Sequence, residues 1–303
     1  MSHPVVVITG GAMGIGLEVA RRIAPTHRVA LLDIDAEKAR SAAAQLGSDA
    51  IALHCDITDP ASVATAVHNV VERFGGIDVA VSNAGIGSGG TARHLDPDAL
   101  AAQLDVNVTG NWRFIHACLP HLVRSRGYLL GVASAAAITA PPGESFYSAS
   151  KAGLEALLNV LRTEVAHLGV DVGVAYLMFI DTPMVREMDL EQADLARMRK
   201  KLPGPAGKTY PVSMAADRVA DGIRRRASRV FVPSSLRWQY LLRGLLPPVL
   251  DITFRRIARE IDQLTEAKVA ERGSFAAGFN QRQLTEFTKH TPAPGRTAEQ
   301  RPE

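Results

Sequence analysis

Residues 147–151, YSASK, place a phenol and an ammonium four positions apart. On a helix, side chains at i and i+4 stand on one face. The pair is either an ordinary stretch of helix surface or a proton-transfer device, since a cation beside a phenol favours the phenolate. Spacing alone leaves both readings open, so the elements around it must decide.

A second candidate lies at the start of the chain, where VVVITGGAMGIG runs an apolar stretch into glycines 10, 11, 14 and 16. Backbone without side chains can turn sharply and approach a pyrophosphate, and a following helix N-terminus adds N–H donors and partial positive charge. A plain tight turn would use glycine too. After the first strand of an α/β pattern, the segment reads instead as a nucleotide site built on Gly10, Met13, Gly14, Ile15 and Gly16. Its G-x-x-x-G-x-G spacing differs from the G-x-G-x-x-G of other dinucleotide folds.

Asp33 ends the apolar run VALLD, 17 residues after Gly16. A carboxylate there can accept both hydroxyls of an adenosine ribose and repels a 2′-phosphate, which favours NAD over NADP. A helix N-cap is its plainer reading. Met13 brings no cation for a 2′-phosphate, in agreement with NAD. Further on, CDI carries Asp56 and Ile57, and SNAG carries Asn83, Ala84 and Gly85. Asp56 suits an adenine amino group, Asn83 can brace the sheet edge, and Ala84 and Gly85 leave room for a cofactor. Loop polarity accounts for these residues almost as well when each is taken singly.

The elements that must position these groups follow from apolar periodicity. Short runs such as PVVVIT, RVALLD, AIALHCD, IDVAVSNAG, GYLLGVAS and VDVGVAYLMF alternate with segments of helical period. Consecutive apolar positions indicate strands buried on both faces, as in a parallel sheet covered by helices. Helices are expected over 15–24, 36–46, 60–74, 97–119 and 144–168. The alternation predicts an α/β, doubly wound parallel sheet of Rossmann type. Residues 182–210 are long for a connection and read as a lid over the carboxyl edge. A helix from Ser213 and the strand RVFVP then close the domain.

Composition excludes several classes. The 303 residues are 47% hydrophobic, enough for a sizeable core, and a net charge of +3 over 34 basic and 31 acidic residues is too balanced for a nucleic-acid binder. Cys55 and Cys118 lie in apolar runs, which fits buried thiols in a reducing compartment. The histidines, His54, His116 and His167 among them, are scattered over separate elements, so no metal site is expected. With no leader-like N-terminus and no long apolar run, the expectation is a soluble cytoplasmic protein.

Taken together and in order, TGGAMGIG, the acid at 33, Asp56, SNAG, Asn107 in VNVTG, Ser134 and YSASK resemble the short-chain dehydrogenase/reductase family over roughly residues 4–232. The resemblance implies a catalytic tetrad of Asn107, Ser134, Tyr147 and Lys151, and hydride transfer between NAD and a secondary alcohol or ketone. Tyr147 would be the acid/base. A free phenol titrates near pH ~10, so work near neutrality calls for about 3–4 kcal/mol of preferential phenolate stabilisation. Lys151 and a cationic nicotinamide can supply that. The resemblance further implies that Lys151 bonds the nicotinamide ribose, that Ser134 bonds the substrate oxygen, and that Asn107 holds a water linking Lys151 to solvent. It also implies a homodimer or homotetramer built on the helices from Pro97 and Glu144.

Two features depart from the family pattern. Where Pro-Gly is usual, VAYLMFIDTPM carries Leu177 and Met178, while Ile180 and Thr182 still suit the nicotinamide carboxamide. A Met side chain there narrows or re-aims the pocket, or else the loop tolerates it. This departure keeps a rival reading open, a non-catalytic dinucleotide-binding sensor or scaffold. Beyond the Rossmann-type domain of residues 1–233, an amphipathic helical extension is expected over 234–267 and a polar, disordered tail over 268–303. The Arg- and Leu-rich extension suits packing on its own domain, a partner subunit or a peripheral membrane contact. The lid's methionines point to an apolar substrate.

Overall fold

Strands that are apolar at consecutive positions need cover on both faces, and the chain supplies it by returning through a helix after almost every strand. The computed structural model describes residues 3–191, 193–200, 204–280 and 283–284. Its strands are β1 (Val5–Thr9), β2 (Arg28–Asp33), β3 (Ala50–His54), β4 (Val79–Ser82), β5 (Tyr128–Val132), β6 (Asp171–Leu177) and β7 (Arg229–Val232). They form one sheet in the order β3-β2-β1-β4-β5-β6-β7, parallel throughout. The order reverses between β1 and β4, and at such a switch point the carboxyl edge opens into a crevice.

The helices are α1 (Gly14–Ile23), α2 (Ala36–Leu46), α3 (Pro60–Phe74), α4 (Pro97–Leu104), α5 (Asn111–Ser125), α6 (Ala136–Thr139) and α7 (Ser145–Glu164). They continue with α8 (Pro183–Glu191), α9 (Ala193–Lys200), α10 (Val212–Arg224), α11 (Leu236–Leu241), α12 (Leu246–Arg272) and α13 (Ser274–Ala277). On one face α1, α2 and α10 bury Val19, Ile23, Ala42, Val219 and Ile223. On the other, α3, α5 and α7 bury Val67, Phe114, Leu122, Leu154 and Leu158. All residues of β1 and β5 are buried, whereas the edge strand β3 is only partly covered, as its single neighbour dictates.

Three expectations are corrected. The helix foreseen over 97–119 is two helices joined by a π-helical turn, Asp105–Gly110, and α5 carries on through Pro120 to Ser125. A π-turn accommodates an extra residue and re-aims the side chains on it, which here includes Asn107. The helix foreseen over 144–168 ends at Glu164, and a 3-10 turn, Ala166–Leu168, follows. The polar tail foreseen from 268 is ordered at its start: α12 runs to Arg272, α13 follows, and Ala277 and Phe279 are fully buried. Phe279 pairs with Phe275 at 5.4 Å between ring centres, and the Gly278 carbonyl accepts the Gly89 N–H at 2.9 Å. Residues 281–282 and 285–303, the rest of the expected tail, lie outside the described residues. Among the described residues no helix is long and apolar enough to cross a membrane.

Candidate active site

The glycine segment turns from β1 into α1 with Gly10 and Gly14 at positive φ, 62° and 56°. A Cβ at Gly16 would stand 2.3 Å from the Gly10 carbonyl oxygen, so only glycine lets the helix start against the turn. Neither a capping side chain nor a first-turn acid covers the N-terminus of α1, which keeps its partial positive charge available to an anion. Asp33 ends β2 and accepts the Ala12 N–H at 2.9 Å and the Asp35 N–H at 3.0 Å, tying the glycine turn to the second strand. The plainer role for Asp33 falls to its neighbour, since Asp35 caps α2 by accepting the Lys38 N–H at 3.0 Å.

Asn83 holds the crevice open from the other side. Its amide donates to the carbonyls of Thr9 at 2.9 Å and Gly10 at 3.1 Å, joining the ends of β4 and β1. Asp56 accepts the N–H and hydroxyl of Thr58 on one oxygen, at 2.8 and 2.7 Å. Thr182 accepts the Val185 N–H at 3.4 Å as α8 begins, and its methyl lies 3.6 Å from where a Gly14 Cβ would be. Ile180 bridges to Tyr210 beneath it.

These groups surround one cleft of about 1000 Å³. Every candidate site residue expected from the sequence lines it except Gly16 and Asn107. Asn107 is buried; its oxygen accepts the Ile86 N–H at 2.9 Å, and its amide donates to the Ile86 carbonyl at 2.8 Å and to Ser150 at 2.9 Å. Ser150 in turn donates to the Tyr147 carbonyl at 2.8 Å. A residue that reads as a small spacer therefore connects Asn107 to the tyrosine's own backbone.

Tyr147 and Lys151 do share a face of α7. The buried Lys151 ammonium lies 5.8 Å from the Tyr147 ring centre and donates to the Val132 carbonyl at 3.0 Å. Burial pulls its pKa down to about 8. Tyr147 moves the opposite way from the expectation for a working base: burial pushes its phenol up to about 12, and the charge of Glu144 adds to the rise, while a hydrogen bond with Ser134 opposes it. Lys151 points its hydrogen bond at a strand carbonyl. Gly85 faces the gap, for a Cβ there would fall 2.9 Å from the Asn107 oxygen and 3.2 Å from the Lys151 nitrogen.

Several groups at the site were not foreseen. Glu144 sits three residues before Tyr147 and lines a side chamber of about 130 Å³ with Tyr147, Met178, Phe179 and Met188. Burial raises its pKa to about 7, and Arg199 opposes the rise. The i, i+3 spacing to Tyr147 was the available signal. Asn111 donates to the carbonyls of Ala84, Val106 and Asn107 at 3.0–3.2 Å, and its place four residues after Asn107 was the clue. Phe275, Ala276, Asn280, Gln283 and Leu284 also wall the cleft, and nothing in their polar neighbourhood announced it. Leu177 stays in β6, and Met178 donates its N–H to the Val232 carbonyl at 2.9 Å with its side chain against both cavities.

A switch-point crevice lined by a glycine turn, a strand-end acid and a Ser, Tyr and Lys group defines a dinucleotide-binding oxidoreductase. The chain matches the short chain dehydrogenase family over residues 4–193 and belongs to it. It is 36% identical over 188 residues to an uncharacterized oxidoreductase of Mycobacterium bovis, covering 60% of this chain and 75% of that one. It is 31% identical over 215 residues to a 3-oxoacyl-[acyl-carrier-protein] reductase of Bos taurus, covering 70% and 89%. The crystal structure of a 3-ketoacyl-(acyl-carrier-protein) reductase from Brucella melitensis complexed with NADH superposes with a TM-score of 0.68 at 26% identity, covering 76% of this chain and 97% of that one.

Proposed function

We propose that this protein moves a hydride between NAD(H) and a secondary alcohol or ketone of small to medium, apolar character. The observation that carries the reading is the convergence of Ser134, Tyr147 and Lys151 on the same cleft as the glycine turn and Asp33. Asp33 and the uncharged Met13 favour NAD over NADP, because a carboxylate repels a 2′-phosphate and no cation in the turn would offset it. When bound, the nicotinamide accepts or supplies the hydride. The glycine turn and the α1 N-terminus hold the pyrophosphate, Asp33 the adenosine ribose, Asp56 and Ile57 the adenine side, and Ile180 and Thr182 the carboxamide.

In this reading the Tyr147 hydroxyl passes a proton to or from the substrate oxygen, and Ser134 donates to that oxygen as its charge develops. Lys151 stabilises the phenolate electrostatically. Asn107 is a positioning residue that fixes Ile86 and Ser150 and, with Lys151 across Gly85, frames a place for a relay water. The reading includes a homodimer or homotetramer built on α4 and α7, as the family resemblance implies. The raised Tyr147 phenol and Met178 favour a second reading, a dinucleotide-binding sensor without turnover. A screen of secondary alcohols with NAD reduction followed at the nicotinamide absorbance separates the two. Turnover abolished by Tyr147→Phe is expected; no turnover of any alcohol or ketone, with NADH still bound, would establish the sensor.

A further inference from the structure

Half of the ten large apolar side chains that the described residues expose fall in one stretch after the sheet: Trp238, Leu241, Leu242, Leu245 and Ile252. Leu245 is 72% accessible and Leu241 67%. Scattered exposed leucines are ordinary on a protein surface, but a contiguous group of this size marks a contact surface. This stretch also lies beyond residue 193, where the family match ends.

The exposure does not come from a loosely held segment. Leu236 is fully buried at the start of α11, and Tyr240 packs with Tyr176 and Phe231 at 5.1 and 5.6 Å between ring centres. Arg243 donates to the buried Glu155 at 2.7 Å, and Glu155 also accepts the Tyr176 hydroxyl at 2.8 Å. The elbow between α11 and α12 is thus fastened to the sheet from below while its leucines face outward. A device that cost only exposure would not be anchored this way.

Charge identifies the occupant. Residues 236–260 carry five arginines, at 237, 243, 255, 256 and 259, against Asp251 and Glu260; with Arg243 paired to Glu155, an excess of two positive charges remains. Arg255, Arg256 and Arg259 are exposed and make no ion pair among the described residues. An isologous contact between two copies would bring two such basic surfaces together. Anionic lipid headgroups satisfy the arginines while the acyl boundary takes Trp238 and the leucines, the arrangement of an interfacial amphipathic segment.

We propose that residues 236–259 dock the protein on an anionic membrane surface, with the elbow at Leu241, Leu242 and Leu245 entering the headgroup boundary. The full chain is tested by flotation with vesicles of phosphatidylcholine alone and of phosphatidylcholine mixed with phosphatidylserine. Expected are flotation with the anionic vesicles only, release by high salt, and loss of flotation in Leu241→Gln/Leu245→Gln at unchanged native mass and thermal stability. Arg255→Gln/Arg256→Gln should partition about thirty-fold more weakly, since each arginine near an anionic surface is worth ~1 kcal/mol. Absence of flotation with anionic vesicles, equal flotation with neutral ones, or flotation untouched by the leucine pair overturns the proposal. A parent oligomer that the leucine pair dissociates, without vesicle binding, overturns it in favour of a subunit interface.

Discussion

The Lys151 ammonium lies 5.8 Å from the centre of the Tyr147 ring and is hydrogen-bonded to the Val132 carbonyl at 3.0 Å. That bond anchors the buried cation to the end of β5. Its pKa, about 8 against an ordinary 10.5, reflects burial, which disfavours the charge. A group whose folded pKa is lowered in this way penalises the fold below the folded value, and the penalty disappears as pH rises from about 8 toward 10.5. Lys151→Met should abolish turnover yet raise stability by on the order of 1–3 kcal/mol near neutrality, a gain that shrinks at alkaline pH. Chemical denaturation across that range, beside the alcohol assay, checks it.

Glu144 gives a prediction of the opposite sign. Its folded pKa of about 7 exceeds the ordinary 4.5, so the native state loses stability relative to the unfolded chain as pH rises from 4.5 to about 7. Glu144→Gln should stabilise the protein by on the order of 1–3 kcal/mol at mildly alkaline pH and have little effect near pH ~4. Removing this charge also relieves one cause of the raised Tyr147 pKa, so the acid limb of kcat/KM for alcohol oxidation should move to lower pH. An unmoved limb would show that Glu144 does not act on the tyrosine.

Asp33 supports the glycine turn through Ala12, and in the proposed reading it also sets the choice of cofactor. Asp33→Asn keeps one carbonyl oxygen as an acceptor but removes the charge. The NAD over NADP ratio of kcat/KM is expected to fall about 10- to 100-fold, roughly 1.4 kcal/mol per tenfold. Steady-state kinetics with both cofactors measures it, and an unchanged ratio would place the preference elsewhere.

Met178 occupies a wall shared by the main cleft and the side chamber. Met178→Gly should change NADH affinity or turnover, because it removes a side chain from that wall and loosens the backbone that pairs with Val232. If both parameters stay at parent values, the loop simply tolerates methionine.

Much of this site was legible along the chain because each strand of a parallel sheet delivers its last residue to one edge. Once the β-α alternation was read, Asp33, Asp56, Asn83 and Ser134 had to gather there, and the two-residue family departure at Leu177 and Met178 stood out. The π-helical turn was not legible: nothing in DVNVTG distinguishes an α-helix from one carrying an extra residue, and packing of Asn107 against Ile86 and Ser150 decides it. The helical start of the tail was not legible because its polar residues outnumber Phe275 and Phe279, whose rings pack together in the fold.

The sequence by itself determined the α/β fold, the glycine turn and the candidates for handling a proton, since periodicity and backbone permissiveness are local properties. Only the tertiary structure decided what those groups experience. Burial sends the Tyr147 phenol up to about 12 and the Lys151 ammonium down to about 8. Desolvation depends on everything packed around a charge, including residues more than a hundred positions away, so no local pattern could carry it.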